Sequence, residues 1–296
     1  GMGNLAVFIL GAGFLSVIIF LPLFMVNVVG LSATRAGLTI TPLTFGVVAG
    51  NVLAGQLVSR LGHYRRLMLG ALGVLTVGYA LMGFTLSPDS TQASVTMKMV
   101  IVGLGIGPGL PLYTLAIQNA VPPWQVGMAT SSVTFFRQMG STIGVAVMGT
   151  VFAATLTSEV ATRTAEATAG LPVAIRERLR PEQTAAGGEG ALGGQAFPAE
   201  EVTEALRTRI AWQRREVREQ LDGHAESEAL ARLDLLEAQA VAAVPRVERA
   251  LAEAFTLAIA VIYRIAILIA VLGFIATFLL PERPLRTTQA LGPPAE

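Results

Sequence analysis

Two arginines lie deep inside apolar stretches of this chain, and they raise the first question about its chemistry. Arg137 is about ten residues into the run Gly127–Ala154, within Phe135-Phe136-Arg137-Gln138-Met139-Gly140, and Arg264 is about ten residues into Phe255–Leu280, beside Tyr263. A guanidinium keeps its charge, so at the centre of a membrane helix it costs roughly 2.5–3.5 kcal/mol on insertion scales and should face a bundle interior or a watery cavity. Each arginine then has two readings: a group on a transport path or gate, or a structural donor to carbonyls of a neighbouring helix. Arg264 can also snorkel outward, as the geometry suggests for Lys98 near the outer end of another run. The amides Gln138, Asn51 and Gln118 are further candidates for the same path or gate.

The acids that would complement such groups are missing. A proton-driven antiporter usually carries a carboxylate whose pKa is raised by burial, so that it loads and releases a proton near neutral pH. No apolar run holds an Asp or Glu, and the only two histidines, His63 and His224, fall in loops. Cysteine is absent, and there is no His pair at metal spacing, no phosphate-cradling loop and no nucleophile elbow. An enzyme is therefore not expected, nor a catalytic residue, cofactor or metal site. A net charge of +1 suggests no nucleic-acid partner.

The elements that hold these residues follow from hydropathy. The chain has 296 residues, of which 53% are hydrophobic and 14% charged, a balance rare in soluble proteins. Crossing a bilayer takes about 20 apolar residues. Six runs qualify: Leu5–Val29, Ala36–Val58, Leu67–Leu86, Val95–Val121, Gly127–Ala154 and Phe255–Leu280. The partner implied is the lipid bilayer of a cell membrane. Between the fifth and sixth runs, Thr157 to Glu253 holds 12 of the 21 Lys and Arg and 17 of the 20 Asp and Glu. That stretch is aqueous, with a glycine-rich linker around 185–194 and periodic apolar residues (Val202, Leu206, Ile210, Val217, Leu221, then Leu230, Leu233, Leu236, Val241) that predict a helical hairpin over about 200–244, ending at Pro245. The expected division is therefore 1–156 for five spans, 157–253 for an outer loop, 254–286 for the sixth span and its inner end, and 287–296 for a disordered tail. Arg60, Arg65 and Arg66 in one short loop and Arg283 and Arg286 in the tail, against Arg35 alone outside, place both ends on the cytoplasmic side.

Within the spans, small residues recur at spacing four: Gly46 and Gly50, Gly103 and Gly107, Gly105 and Gly109, Gly140 and Gly144. Such pairs let membrane helices approach closely, and taken singly they indicate ordinary packing. The fourth run goes further, since Gly103, Gly105, Gly107 and Gly109 alternate with apolar residues around Pro108 and Pro111. Proline removes a backbone donor and glycine lowers stiffness, so this helix should kink or unwind. Membrane helices tolerate that where protein or a cavity surrounds them, and interrupted segments of this kind point to transport sites.

The loop Gly55-Gln56-Leu57-Val58-Ser59-Arg60-Leu61-Gly62-His63-Tyr64-Arg65-Arg66 resembles the cytoplasmic signature loop of the major facilitator superfamily, with Ser59 where an acid is usual. Gly103–Pro111 continuing to Gln118-Asn119-Ala120-Val121-Pro122, Gly127-Met128-Ala129-Thr130-Ser131-Ser132, and Arg137-Gln138-Met139-Gly140 with Gly144-Val145-Ala146 resemble consecutive late spans of fourteen-span drug:proton antiporters of the QacA/EmrB type. The resemblance covers about Leu5–Ala153 and Phe255–Arg286, and leaves the outer loop without a counterpart.

It implies an all-α membrane protein, six transmembrane helices forming the C-terminal bundle of a major facilitator fold, arranged as two inverted three-helix repeats, with the helical hairpin outside. It also implies alternating-access export of small lipophilic substrates, often cationic drugs, and a missing N-terminal bundle that carries the proton-titrating carboxylates. Arg137 would then be a structural or gating group near the central cavity. Two other readings remain open: a membrane-anchored scaffold acting through its outer hairpin, and a half-length transporter working as a homodimer.

Overall fold

A run of about 20 apolar residues can hide its backbone from lipid only by bonding to itself, which makes helices the expected outcome throughout. The computed structural model describes residues 1–173, 176, 179, 199–220 and 223–281. Among these it contains helices and no strand: α1 (Met2–Asn27), α2 (Ala33–Leu38), α3 (Ile40–Leu61), α4 (Tyr64–Thr85), α5 (Gln92–Ile106), α6 (Gly109–Asn119), α7 (Val126–Ala167), α8 (Ala199–Gln220) and α9 (His224–Phe278). Six helical stretches are long and apolar enough to cross a membrane, with α5 and α6 together making the fourth. The glycine-rich linker, Leu221 and the tail with Arg283 and Arg286 lie outside the described residues.

The spans pair across the two halves of the bundle. The main packing partners are α1 with α7, α3 with α5, and α4 with α9. The first and second spans of one half thus meet the second and first of the other, and the third meets the third, the pattern an inverted repeat produces. Glycine makes the two inner crossings close. A Cβ on Gly46 would lie 2.6 Å from the Val100 carbonyl oxygen, and one on Gly50 2.7 Å from that of Leu104. At the α1/α7 crossing the same holds for Gly140 against Phe8 and Gly144 against Ala12. Every one of the four paired glycine motifs has at least one glycine backed by a neighbouring helix, so packing accounts for them.

Neither long helix ends with its apolar run. Helix α7 runs on to Ala167, and α9 starts at His224 and continues through Pro245 into the sixth span. At 1.5 Å per residue, 42 and 55 residues give rods of about 63 and 82 Å, far longer than a hydrocarbon core of about 30 Å. Their projecting ends and α8 share a second core, with Leu171, Val202, Leu206, Ala240, Val244, Val247 and Leu251 buried in it. In the region between the fifth and sixth spans, α8 and the first part of α9 thus form two antiparallel arms, and the projecting end of α7 packs with them. Arg163 joins the two long rods, bonding Glu159 at 2.9 Å and Glu253 at 2.6 Å. Pro245 costs its helix one backbone bond, and burial of Val244 and Val247 on either side keeps the rod continuous.

Candidate functional site

The fourth span breaks where its composition says it should. Pro108 has no N–H to offer the carbonyl four residues back, and α5 ends at Ile106 while α6 resumes at Gly109. Across the gap the Leu110 N–H bonds the Gly107 carbonyl at 3.4 Å and the Leu112 N–H bonds that of Pro108 at 3.2 Å. Two neighbours hold the break. On one side α3 presses against Gly103 and Gly107, with the Asn51 backbone nitrogen 3.0 Å from where a Gly107 Cβ would lie. On the other, Leu75 of α4 sits 2.5 Å from the corresponding point on Gly105.

Beside this break lies a small, partly open cavity of about 60 Å³, walled by Leu10, Gly11 and Phe14 of α1, Leu75 and Tyr79 of α4, Gly105, Gly109 and Tyr113 of the broken span, and Val133 and Arg137 of α7. Its volume is far below that of a drug-sized ligand site, and its wall is apolar with a few polar groups. The Tyr113 hydroxyl is already engaged by Thr277 Oγ1 of α9. Tyr79 stacks at 6.1 Å from buried Tyr263, whose own hydroxyl has no hydrogen-bond partner among the described residues.

The tertiary structure sorts the sequence candidates. Arg137 reaches the cavity together with Gly105 and Gly109. Its carbonyl packs on Gly11 of α1, and Ser141, one turn further along α7, bonds the Gly11 carbonyl at 3.0 Å. Among the described residues its guanidinium has no hydrogen-bond, ion-pair or ring partner. Arg264 is different and takes the second of its two readings, a donor to a carbonyl of a neighbouring helix. It sits beside the far end of α4, donating from Nε to the Gly83 carbonyl at 2.9 Å and lying 5.2 Å over the Phe84 ring. Lys98 bonds the Thr85 carbonyl at 3.0 Å, so two cations cap the C-terminal end of α4, where helix carbonyls lack partners.

The amides do not converge on the cavity. Gln138 is exposed. Gln118 bonds Thr130 at 2.8 Å and ties α6 to α7 near their shared end. Asn51 lies on the α3 side of the break, with its Oδ1 buried and unpartnered among the described residues. In the signature loop, Gly62 ends α3 at φ 68, a left-handed conformation suited to glycine. Arg65 donates to the Phe278 carbonyl and covers its ring, so it caps the C-terminal end of α9. Arg60 and Arg66 are exposed, as is Gly55. Ser59 bonds back to the Gln56 carbonyl at 2.8 Å. Tyr79, Tyr113 and Phe14 escaped the sequence reading. A tyrosine two residues after Pro111 in an apolar span was the available signal, since a buried hydroxyl usually marks a polar partner or a cavity.

Six apolar helices of membrane-spanning length, paired across two halves and interrupted in the fourth span, define a helical bundle of a multi-pass membrane protein. Residues 4–145 match the Major Facilitator Superfamily. Over half of its length the chain is 36% identical to the multidrug transporter protein MdtP of Bacillus subtilis, covering 27% of that protein. It is 34% identical to multidrug resistance protein 3 of the same organism over 49% of the chain and 28% of the relative. A tetracycline resistance determinant of Streptomyces rimosus is 29% identical over 49% of the chain and 41% of the relative. The family match spans 142 of the 296 residues, a little under half of the chain. The region it shares with the first two relatives is a little over a quarter of their length.

Proposed function

We propose that this chain is the C-terminal bundle of a proton-coupled exporter of lipophilic small molecules, of the fourteen-span QacA/EmrB type, working by alternating access. The cavity beside the broken span, with Arg137 in its wall, carries this reading. It has the apolar lining and the interrupted neighbouring helix that a moving binding site needs. The drug-transporter names of the relatives support the substrate class. In this reading both ends of the bundle face the cytoplasm, the charged region between the fifth and sixth spans stands outside, and a second bundle closes the cavity. That second bundle supplies the carboxylates for proton coupling, since none lies in these six spans.

The test is dye accumulation in cells stripped of their own pumps and expressing the full-length gene product. Accumulation should fall, and a protonophore should restore it. Equal accumulation with and without the protein, at verified membrane expression, would sink the export reading. Active efflux that ignores the protonophore would remove proton coupling alone.

A further inference from the structure

We infer that the seam between α4 and α9 is a plane on which two sets of helices shift, and that Asp89 and Arg249 form an ionic catch at one end of it, released by salt. This goes beyond the export reading, and its test needs no transported substrate.

Packing sorts the bundle into two sets of three. Helices α1, α7 and α9 pack on one another, as α5 does on α3 and α4, and among these helices the broad contact between the sets is α4 on α9. Within each set, backbone meets backbone. A Cβ on Gly144 would overlap the Ala12 carbonyl, one on Gly103 that of Leu43, and one on Gly105 the Leu75 backbone. Interlocked backbones of this kind resist sliding. Across the seam, side chains meet instead. The Tyr79 and Tyr263 rings stand 6.1 Å apart, and Gly83 leaves its Cβ position 3.2 Å from the nearest atom, Cγ of Arg264. Arg264 bonds the Gly83 carbonyl and Arg65 that of Phe278, each by a long side chain reaching a helix end. Links of that kind can follow the small sliding motion by which packed helices shear.

Charge gathers at one end of the seam. Asp89, in the turn between α4 and α5, is the single acid of residues 1–156. Serines fix its turn, with the Asp89 N–H on Ser87 Oγ at 3.1 Å and the Ser87 N–H on Ser90 Oγ at 2.9 Å. Arg249 of α9 lies 3.3 Å from the Asp89 carboxylate and 3.3 Å from that of Glu253. Glu253 in turn holds Arg163 of α7, which also holds Glu159. The five charges alternate in sign, so each arginine lies between two acids. Among the described residues Asp89–Arg249 is the ion pair that crosses the seam, and both side chains are mostly exposed. An exposed pair is weak and is screened by salt. Ring contacts and backbone crossings carry no net charge and stay, so salt frees this end of the seam alone.

Spin labels report the release. Gln92→Cys at the start of α5 and Ala161→Cys on α7 are exposed positions on the two sets, and the chain has no cysteine of its own. Label-to-label distances are measured by pulsed electron resonance on the full-length protein, freed of any other cysteine, in nanodiscs of uncharged lipid. In about 0.01 M salt, where the Debye length is about 30 Å, wild type should give one narrow distribution; in about 1 M, where it is about 3 Å, a second and longer distance should appear. Asp89→Asn keeps the size of the side chain and removes its charge. It should show the longer distance already at low salt, with the ratio of the two populations shifted about two- to fivefold, the weight of one exposed pair. Arg249→Gln should match it, and Asp89→Glu should behave as wild type.

A distribution that ignores salt, or an Asp89→Asn protein indistinguishable from wild type at low salt, would overturn the catch. So would a salt response that survives in both Asp89→Asn and Arg249→Gln, since other charges would then carry it. Gln92→Cys with Thr41→Cys on α3 labels a single set and should keep its distance in every condition. A shift there as well would show that the bundle loosens throughout, and the seam would lose its special role.

Discussion

Arg137 and Arg264 enter the molecule on equal terms, each about ten residues into an apolar run, and leave it with opposite roles. Arg264 meets a helix end: the Gly83 carbonyl accepts from it and the Phe84 ring lies beneath it. Arg137 meets a cavity and no partner among the described residues. The same residue type at the same depth in sequence holds a helix carbonyl in one place and lines a small cavity in the other. What separates them is the neighbouring helix. Arg264 meets the last turn of α4, where carbonyls lack helical partners, while Arg137 packs its backbone on Gly11 in the interior of α1, where carbonyls are bonded within the helix.

The largest test of that contrast removes the crossing that aims Arg137. Gly140→Leu places a bulky side chain where the Phe8 backbone already sits. Overpacking of this kind costs about 1–3 kcal/mol or more. The folded protein recovered from membranes should drop severalfold and transport with it. Normal yield in a detergent-solubilised chromatographic profile would show that the α1/α7 contact is looser than described.

Next in size, Arg137→Ala should lower export about tenfold while the amount in the membrane stays at the wild-type level. The readout is initial efflux rate normalised to immunoblotted protein. Undiminished efflux would reduce Arg137 to the same standing as Arg264.

Arg264→Ala should give the mirror image. Losing a charged hydrogen bond to a backbone carbonyl costs about 1–3 kcal/mol, so thermal unfolding should come earlier while the efflux rate changes less than twofold. A tenfold transport defect at unchanged stability would overturn the division between the two arginines.

The smallest effect is expected at the other capped end. Arg65→Ala frees the Phe278 carbonyl at the C-terminus of α9, and a helix-end cation of this sort is worth about 0.3–1 kcal/mol. A slight fall in the unfolding midpoint is the outcome to look for, with Arg65→Lys restoring part of it.

Much of the fold could be read beforehand because bilayer physics leaves few choices. All six apolar runs became membrane-length helices, and the Gly103–Pro111 composition marked the break, since proline cannot donate whatever its surroundings. The charged region between the fifth and sixth spans was less legible. Pro245 reads as a stop when only local rules are applied, yet α9 passes through it because Val244, Val247 and Leu251 are buried against α7 and α8. The candidate site was half visible. Arg137 and the glycines stood out by type, while Tyr79 and Phe14 look like ordinary span residues until four helices bring them to one wall.

Composition and hydropathy alone therefore determine that this is a helical membrane bundle, that its fourth span is interrupted, and that no carboxylate lies in its spans. Those properties belong to single segments and to the cost of leaving backbone or charge in lipid. Only the tertiary structure decides which arginine meets a carbonyl and which meets a cavity. That choice depends on where one helix ends beside another, and no local pattern along the chain records it.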